Sequence, residues 1–201
     1  MGCFSLHPRK IITSAEGGVV ITKDPERGRR VRRLKNHGME RNESGEVIFV
    51  EPGFNYRMSD IHAALLLCQV ESLTDVLDER ESLAQVYDEA LAPLVEKGLL
   101  TLPKRHDGQV WQSYVVTLAP RFSQKIVSAA LFEREIESNA GATVLSTIPH
   151  LVEQATPRLT EGVAHSVLRD HTLDLPLCEK YDHEVVNVVV EALTEILSSQ
   201  A

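Results

Sequence analysis

A run of about thirty residues repeats apolar side chains at helical spacing, and this run constrains the fold more than any other feature of the chain. Ser59 or Asp60 can cap its start, and the pattern continues until Pro93. The repeating positions are Ile61, Ala64, Leu65, Cys68, Leu73, Val76, Leu77, Leu83, Val86, Tyr87 and Leu91. A helix of this length can bridge two domains, so the pattern predicts a chain in two parts joined by one long helix.

The part that follows this helix is typical of an α+β layer. Alternating and β-branched residues predict strands, and a 3.6-residue period predicts helices. The predicted elements are strands at residues 99–102, 110–118 and 143–148, a helix at 123–139 closed by Gly141, and an extended segment at 173–177. A last helix, residues 184–197, is expected to place Val185, Val188, Val189, Leu193 and Ile196 on one face.

The part before the long helix offers fewer elements. Residues 19–22 predict a short buried strand. Asp24 followed by Pro25 is typical of a helix start, and His37-Gly38 is expected to stop that helix. A turn at residues 42–45 and a strand at 47–50 follow. Such a segment buries too little apolar surface to form a stable domain by itself.

Lys10 is the first candidate for chemistry. It precedes the apolar run at residues 19–22, with Ser5 upstream of it and Gly17-Gly18 downstream. A lysine held against packed backbone loses its proton more easily and can attack a carbonyl carbon to form a Schiff base. A hydroxyl such as that of Ser5 can hold a phosphate oxygen beside backbone N–H groups. The alternatives are a surface lysine before a strand and a serine in a turn.

Two blocks of the sequence resemble the DegT/StrS sugar aminotransferases, which are pyridoxal-phosphate (PLP) enzymes. The pattern Ser-x-His-x-x-Lys, followed by Ile-Thr-x-x-Glu-Gly-Gly, covers residues 5–18. The pattern Gly-x-Asn-Tyr-Arg-Met-Ser-Asp covers residues 53–60, and the Leu-Lys-x-His-Gly turn of the family matches residues 34–38. The resemblance is dense to residue 70 and thin after residue 90.

The resemblance implies an α/β protein of the aspartate-aminotransferase fold. Residues 1–75 would be the C-terminal portion of the PLP-binding large domain, which is built on a mainly parallel sheet. Residues 76–201 would be the small C-terminal α+β domain, and the whole enzyme would be a homodimer with active sites at the subunit interface. The family's ring-protonating acid, stacking aromatic and glycine-rich phosphate loop precede the lysine. The sequence shows no counterpart of them, so we expect a fragment without the first half of the active site, inactive by itself.

The resemblance also implies a role for individual residues. Lys10 would bind PLP as an internal aldimine and then act as general base, and lysine at this position favours transamination over the dehydration of relatives that carry histidine. Ser5 and Asn55, the latter from the neighbouring protomer, would hold the cofactor phosphate. The amino group would pass from an amino-acid donor, commonly glutamate, to a nucleotide-linked keto-sugar. The candidates for the substrate pocket are His7, Tyr56, Arg57 and His150.

Each of these assignments has a plainer alternative. Asn55 fits a loop residue at a helix entry, Tyr56 and Arg57 fit interface packing, and His150 fits a loop histidine. For the whole chain, the alternative is a catalytically inactive relative that acts in regulation or dimerisation.

Charge and composition restrict the other classes of function. The net charge is −8, although residues 23–41 carry eight basic and three acidic side chains. Since the arginines there fall on several helix faces without aromatic residues between them, we expect a solvated helix and no nucleic-acid partner. Three distant cysteines and the histidines show no metal spacing, and the cysteines favour a reducing cytoplasm. No apolar run is long enough to span a bilayer, so we expect no membrane partner.

Overall fold

The computed structural model describes residues 1–154, 167–168 and 170–200. The chain divides into two compact units, Met1–Thr74 and Asp75–Ala201. The helices are α1 Pro25–Leu34, α2 Asp60–Glu71, α3 Leu73–Glu96, α4 Gln124–Phe132, α5 Pro149–Gln154 and α6 His183–Ser199. The strands are β1 Gly2–Ser5, β2 Gly18–Ile21, β3 Met39–Arg41, β4 Val47–Phe49, β5 Leu100–Thr101, β6 Tyr114–Leu118 and β7 Thr172–Leu175.

Helix α1 begins and ends where the sequence predicts. The Asp24 carboxylate accepts hydrogen bonds from the N–H groups of Glu26 and Arg27, and Pro25 occupies the first turn, where its missing N–H costs nothing. After the helix, His37 and Gly38 both have positive φ angles, 59° and 73°. This left-handed backbone ends the helix because it cannot continue the helical hydrogen bonds.

The first unit contains two small antiparallel sheets. Strands β1 and β2 pair with Gly2 opposite Ile21. Strands β3 and β4 form a hairpin with Met39 opposite Phe49, and β3 is a strand that the sequence did not predict. The predicted burial of residues 19–22 is wrong for Val19, Val20 and Ile21, which are exposed because each sheet has two strands and little packs against them.

The mainly parallel sheet is not found in the described part of the chain. The three sheets there have two, two and three strands, and every pair within them is antiparallel. Local connections explain part of this result, since the short turn between β3 and β4 allows only an antiparallel pair and a parallel pair needs a crossover of a dozen or more residues.

The predicted long helix is two helices. Helix α2 ends at Glu71, Ser72 forms its C-cap with a non-helical backbone, and α3 begins at Leu73. Pro93 does not end α3, which continues to Glu96. The stop is Gly98, whose φ of 64° lets the N–H of Leu99 donate to the carbonyl of Leu94.

The second unit holds a three-stranded antiparallel sheet in the order β5-β6-β7. The helix expected at residues 123–139 is shorter, since α4 ends at Phe132 and Glu135 has a φ of 62°. The prediction of a strand at residues 143–148 is wrong, because residues Leu145–Thr147 form a 3₁₀ turn. In this turn the Thr147 hydroxyl donates to the carbonyl of Val144. That local bond competes with strand pairing.

The hydrophobic core lies in the second unit. Helices α3, α4 and α6 pack on the sheet around residues that include Tyr87, Tyr114, Phe122, Leu131, Leu173 and Leu193. Val188, expected on the buried face of α6, is 57% exposed, and Val186 and Val190 are buried instead. Among the described helices, none has both the length and the apolar composition needed to cross a membrane.

Candidate active site

Lys10 lies in the loop that connects β1 to β2, and backbone hydrogen bonds close the base of this loop. The N–H of Leu6 donates to the carbonyl of Gly17, and the N–H of Ser14 donates to the carbonyl of Leu6, both at 3.1 Å. Leu6 and Ser14 are buried, so their bonds are shielded from water. The two ends of the lysine loop, residues 6–17, are therefore held together while its middle is exposed.

The end of β1 and the start of the lysine loop bring three predicted site residues into one short stretch. The N–H of Lys10 donates to the carbonyl of His7 at 2.9 Å, and the N–H of His7 donates to the Ser5 hydroxyl oxygen at 3.3 Å. The His7 Nδ1 atom accepts from the N–H of Arg9 at 3.3 Å. Ser5, His7 and Lys10 are all exposed, so the amine and the hydroxyl are accessible to a ligand.

This donor set fits the chemistry of PLP. An exposed primary amine can bond to the aldehyde carbon, and the Ser5 hydroxyl, which accepts one hydrogen bond, still has its own O–H to donate to a phosphate oxygen. The lysine loop and the end of β1 therefore offer two of the groups that binding of this cofactor needs.

The second block of the sequence forms a segment that docks on the C-terminal end of α1. The N–H of Phe54 donates to the carbonyl of Leu34 at 2.7 Å, and the N–H of Tyr56 donates to the carbonyl of Lys35 at 2.9 Å. These bonds satisfy carbonyls that every helix leaves without a partner at its end. Asn55, between the two donors, pairs with Asn36 in an isolated bridge. The side chain of Asn55 is thus presented from a fixed backbone.

The neighbours of Asn55 also face solvent. Tyr56 is exposed and its ring stacks on Phe54 with centroids 4.8 Å apart. The Arg57 guanidinium donates to the Asn36 side-chain oxygen at 2.8 Å. The structure thus places Asn55, Tyr56 and Arg57 on one segment of the first unit. His150 belongs to the second unit, where it is an exposed residue at the start of α5.

The basic residues of α1 are largely engaged in ion pairs. Arg33 is half-buried and binds Glu40 and Glu51, both at 3.0 Å. Hydrogen bonds to Glu40 and Glu51 raise the pKa of the Arg33 guanidinium. Further pairs join Arg27 to Asp24, Arg29 to Glu26 and Arg30 to Glu51. Much of the local positive charge is therefore balanced by carboxylates within the same unit.

Two features of the site region were missed by sequence reasoning. The N–H of Thr13, in the lysine loop, donates to the side-chain oxygen of Gln69 in α2 at 2.8 Å. Gly38 and Gly53 lie so close that a Cβ on Gly53 would be 2.1 Å from the Gly38 nitrogen. The first feature joins residues 56 positions apart and has no local signal, whereas the family pattern includes both glycines without giving a reason for them. Across the described residues, no group of three or more His, Cys, Asp or Glu is placed to hold a metal.

Comparison with known proteins identifies the family. The sequence profile of the DegT/DnrJ/EryC1/StrS aminotransferase family matches residues 1–194. The chain belongs to this family. The DegT/StrS resemblance seen in the two sequence blocks is thereby confirmed.

Named relatives of the chain are aminotransferases. This chain is 29% identical to UDP-4-amino-4-deoxy-L-arabinose–oxoglutarate aminotransferase of Shewanella sediminis (strain HAW-EB3). The match covers 98% of this chain and 55% of that protein. Its fold resembles Helicobacter pylori PseC, an aminotransferase involved in the biosynthesis of pseudoaminic acid, with a TM-score of 0.87 and 23% identity over 98% of this chain and 53% of PseC.

A further structural relative is Spr1654 of Streptococcus pneumoniae, which has been solved in a PMP form and a PLP form. The PMP form has a TM-score of 0.85 and 21% identity over 99% of this chain and 53% of Spr1654, and the PLP form a TM-score of 0.83. The chain thus spans about half the length of these relatives.

Proposed function

We propose that this chain supplies the lysine-bearing part of a PLP-dependent sugar aminotransferase. The observation that carries the proposal is the lysine loop of a member of this family: an exposed primary amine at Lys10, with the Ser5 hydroxyl five residues upstream and the loop base held by buried backbone bonds. An amine and a hydroxyl held this way suit covalent capture of an aldehyde and binding of its phosphate.

Each residue then has a defined task. The Lys10 Nζ atom would hold the cofactor through its aldehyde carbon, with loss of water, and the Ser5 O–H would donate to a phosphate oxygen. The Asn55 side-chain amide donates to the phosphate bound by the neighbouring protomer of a homodimer. When bound, PLP supplies an electron sink for negative charge on the substrate carbon. The free amine of Lys10 would take a proton from that carbon and deliver it to a carbon two bonds away, which is the 1,3-proton shift of a transamination.

The family and the names of its relatives support a proposal for the substrates. The Shewanella enzyme is named for a UDP-linked amino sugar and for oxoglutarate, the keto acid formed from glutamate. We propose a nucleotide-linked keto-sugar as acceptor and glutamate as donor for this chain. His7, Tyr56, Arg57 and His150 are candidates for contact with the sugar or the donor carboxylate, because cationic and hydroxyl-bearing side chains bind phosphate, carboxylate and sugar oxygens.

Covalent capture of PLP tests the assignment directly. The 201-residue chain, incubated with PLP and reduced with borohydride, is expected to carry the label on Lys10 ahead of the other six lysines, Lys23, Lys35, Lys97, Lys104, Lys125 and Lys180. The Lys10→Arg variant keeps the charge but loses the nucleophile, so its labelling should fall to the background of the other lysines. Lys97→Arg is the matched control. Preferential labelling of any lysine other than Lys10 would refute the proposal.

A second candidate is a catalytically inactive relative that acts in dimerisation or regulation. The observation that favours it is helix α2, which is mostly apolar and has no buried residue, because exposed apolar surfaces mark interaction sites. Adding glutamate to the PLP-treated chain, mixed with the separately expressed N-terminal half of a full-length family member, separates the two candidates. A change in the visible absorption of the bound cofactor supports the lysine-bearing part of a transaminase, whereas labelling of Lys10 without any response to glutamate in this mixture supports the inactive relative.

A further inference from the structure

We propose that Gln69 is the positioning residue of the lysine loop and that it holds Lys10 ready for covalent capture. This inference rests on the proposed function of Lys10. The structural observation is the 2.8 Å hydrogen bond from the N–H of Thr13 to the Gln69 side-chain oxygen. It connects the lysine loop to a helix that starts about fifty residues later in the chain.

The returning arm of the lysine loop needs this bond. Thr13 is the third residue after Lys10, and its hydroxyl donates to the carbonyl of Leu6 at 2.7 Å. The Thr13 hydroxyl also accepts from the N–H of Ala15, so Thr13 is the point at which the arm rejoins the loop base. Its own N–H is directed to Gln69, and without that acceptor a part-buried donor would lose its partner. Gln69 therefore restrains the backbone close to the reactive amine.

Helix α2 gives Gln69 a fixed place from which to act. The Ser59 hydroxyl caps the helix by accepting from the N–H of His62, and Gln69 lies two turns further on. Met58, the residue before Ser59, also lies against the loop base. Its Cε atom would be 3.0 Å from a Cβ placed on Gly17. The loop is thus restrained from two points of one chain segment, and this segment is continuous with Asn55.

The role requires an acceptor oxygen and no other property of the side chain. Gln69→Leu has a similar size and cannot accept a hydrogen bond, whereas Gln69→Glu keeps an oxygen that can. A hydrogen bond of ordinary strength corresponds to a change of about two- to tenfold in the population of the ordered loop. We therefore expect PLP to capture Lys10 about two- to tenfold more slowly in Gln69→Leu, and at close to the original rate in Gln69→Glu.

Two measurements on the 201-residue chain test this role. Borohydride trapping after timed exposure to PLP gives the labelling rate of Lys10 relative to the other six lysines of the same molecule. Hydrogen exchange of the Thr13 amide, measured without PLP, reports the hydrogen bond itself. Gln85→Leu is the matched control, because Gln85 is an exposed glutamine on α3 that bonds to Glu81.

The outcomes separate the two proposals. Faster Thr13 exchange and slower Lys10 capture in Gln69→Leu, with both restored in Gln69→Glu, support the positioning role. Unchanged Lys10 capture in Gln69→Leu, with Lys10 labelled normally in the unaltered chain, overturns only the positioning role of Gln69 and leaves the proposed function standing. A slow Gln69→Glu variant also overturns it, since the acceptor is then not the property that matters. No preference for Lys10 in the unaltered chain overturns the proposed function, and the positioning role fails with it.

Discussion

Five side chains of the second unit form one hydrogen-bonded network around the single tryptophan of the chain. The Trp111 indole N–H donates to Glu81 at 2.5 Å, and the Tyr114 hydroxyl donates to Asp88 at 2.5 Å. Arg105 bridges the two carboxylates, binding Asp88 at 2.6 Å and also binding Glu81, while its guanidinium lies over the Trp111 ring. Trp111 and Tyr114 are buried, so the network connects core aromatic residues to charged groups at the surface.

The network couples the environment of Trp111 to the protonation of Glu81. Burial raises the pKa of the Glu81 carboxyl. Hydrogen bonds from Trp111, Arg105 and Gln85 lower it by more than burial raises it, so the pKa of Glu81 lies below the usual glutamate value. Because the folded pKa is depressed, the stabilisation from Glu81 is present above the unfolded pKa and is lost as pH falls through the folded pKa. We expect the fluorescence of Trp111 to change in that acid range.

Substitution of Arg105 checks the cause of this shift. In Arg105→Met the Glu81 carboxylate loses a hydrogen bond and a neighbouring positive charge, so the midpoint of the fluorescence titration should move to higher pH. Arg121→Met is the control, because Arg121 lies over Phe122 and outside the network. A midpoint that stays in place in Arg105→Met would show that Arg105 does not hold the carboxylate in its charged form.

Individual site residues were predictable to the extent that their signal is local. Ser5, His7 and Lys10 share one short stretch, so the sequence pattern alone places them together, and the structure has Ser5 at the end of β1 with His7 and Lys10 in the loop that follows. The acceptor for Thr13 was not predictable, because Gln69 is 56 residues away and its position depends on how α2 packs against the loop. The roles of Ser5, Lys10 and Asn55 stay predictions, and labelling tests that of Lys10.

At the scale of elements, two glycines show how backbone contact sets the docking of the Asn55 segment on α1. A Cβ on Gly53 would lie 2.1 Å from the Gly38 nitrogen and 2.6 Å from the His37 carbonyl carbon. Both are backbone atoms, so the clash cannot be relieved by turning a side chain. We expect Gly53→Ala to destabilise this region by about 1–3 kcal/mol.

Gly28, the glycine inside α1, gives a control of opposite sign. A Cβ on Gly28 would make only ordinary contacts of 3.6 Å, and Gly28 lies inside the helix. Alanine there should stabilise α1 by about 0.5–1 kcal/mol. Hydrogen exchange of residues 25–57 measures both effects. Equal protection in Gly53→Ala and the unaltered chain would contradict the close approach of the two glycines.

The elements themselves were predictable where a terminal signal is strong. Asp24-Pro25 and His37-Gly38 carry specific backbone chemistry, and α1 lies between them. The break at Ser72 was missed because apolar residues recur on both sides of it, so periodicity alone gives one helix. Strand β3 was missed because three residues, Met-Glu-Arg, hold too little β-branched character to stand out before the hairpin forms.

At the scale of the whole molecule, the two units differ in how much apolar surface they bury. The core of the second unit contains a large set of fully buried side chains, whereas residues 1–74, all of which are described, bury only Leu6, Ser14 and Gly38. Helix α2 has no buried residue although most of its side chains are apolar. A helix that is apolar on every face is normally covered, and large exposed apolar patches mark interaction sites. The mixed α/β character was predictable, whereas the exposure of the apolar α2 was not, because periodicity does not show whether a neighbouring element covers a helix.

In the proposed homodimer, a second copy of the chain covers the apolar surface of α2. If a second copy covers α2, sedimentation velocity should show concentration-dependent dimers of the 201-residue chain. The exposed side chains Ile61 and Leu65 lie one turn apart on α2, and the double variant Ile61→Glu, Leu65→Glu should weaken association about tenfold or more, because each charge would be buried without a partner. Val188→Glu, on α6 of the other unit, is the matched exposed control and should associate normally. A chain that stays monomeric at every concentration, or a double variant that dimerises as tightly as the control, would assign the apolar surface of α2 to something other than a second copy.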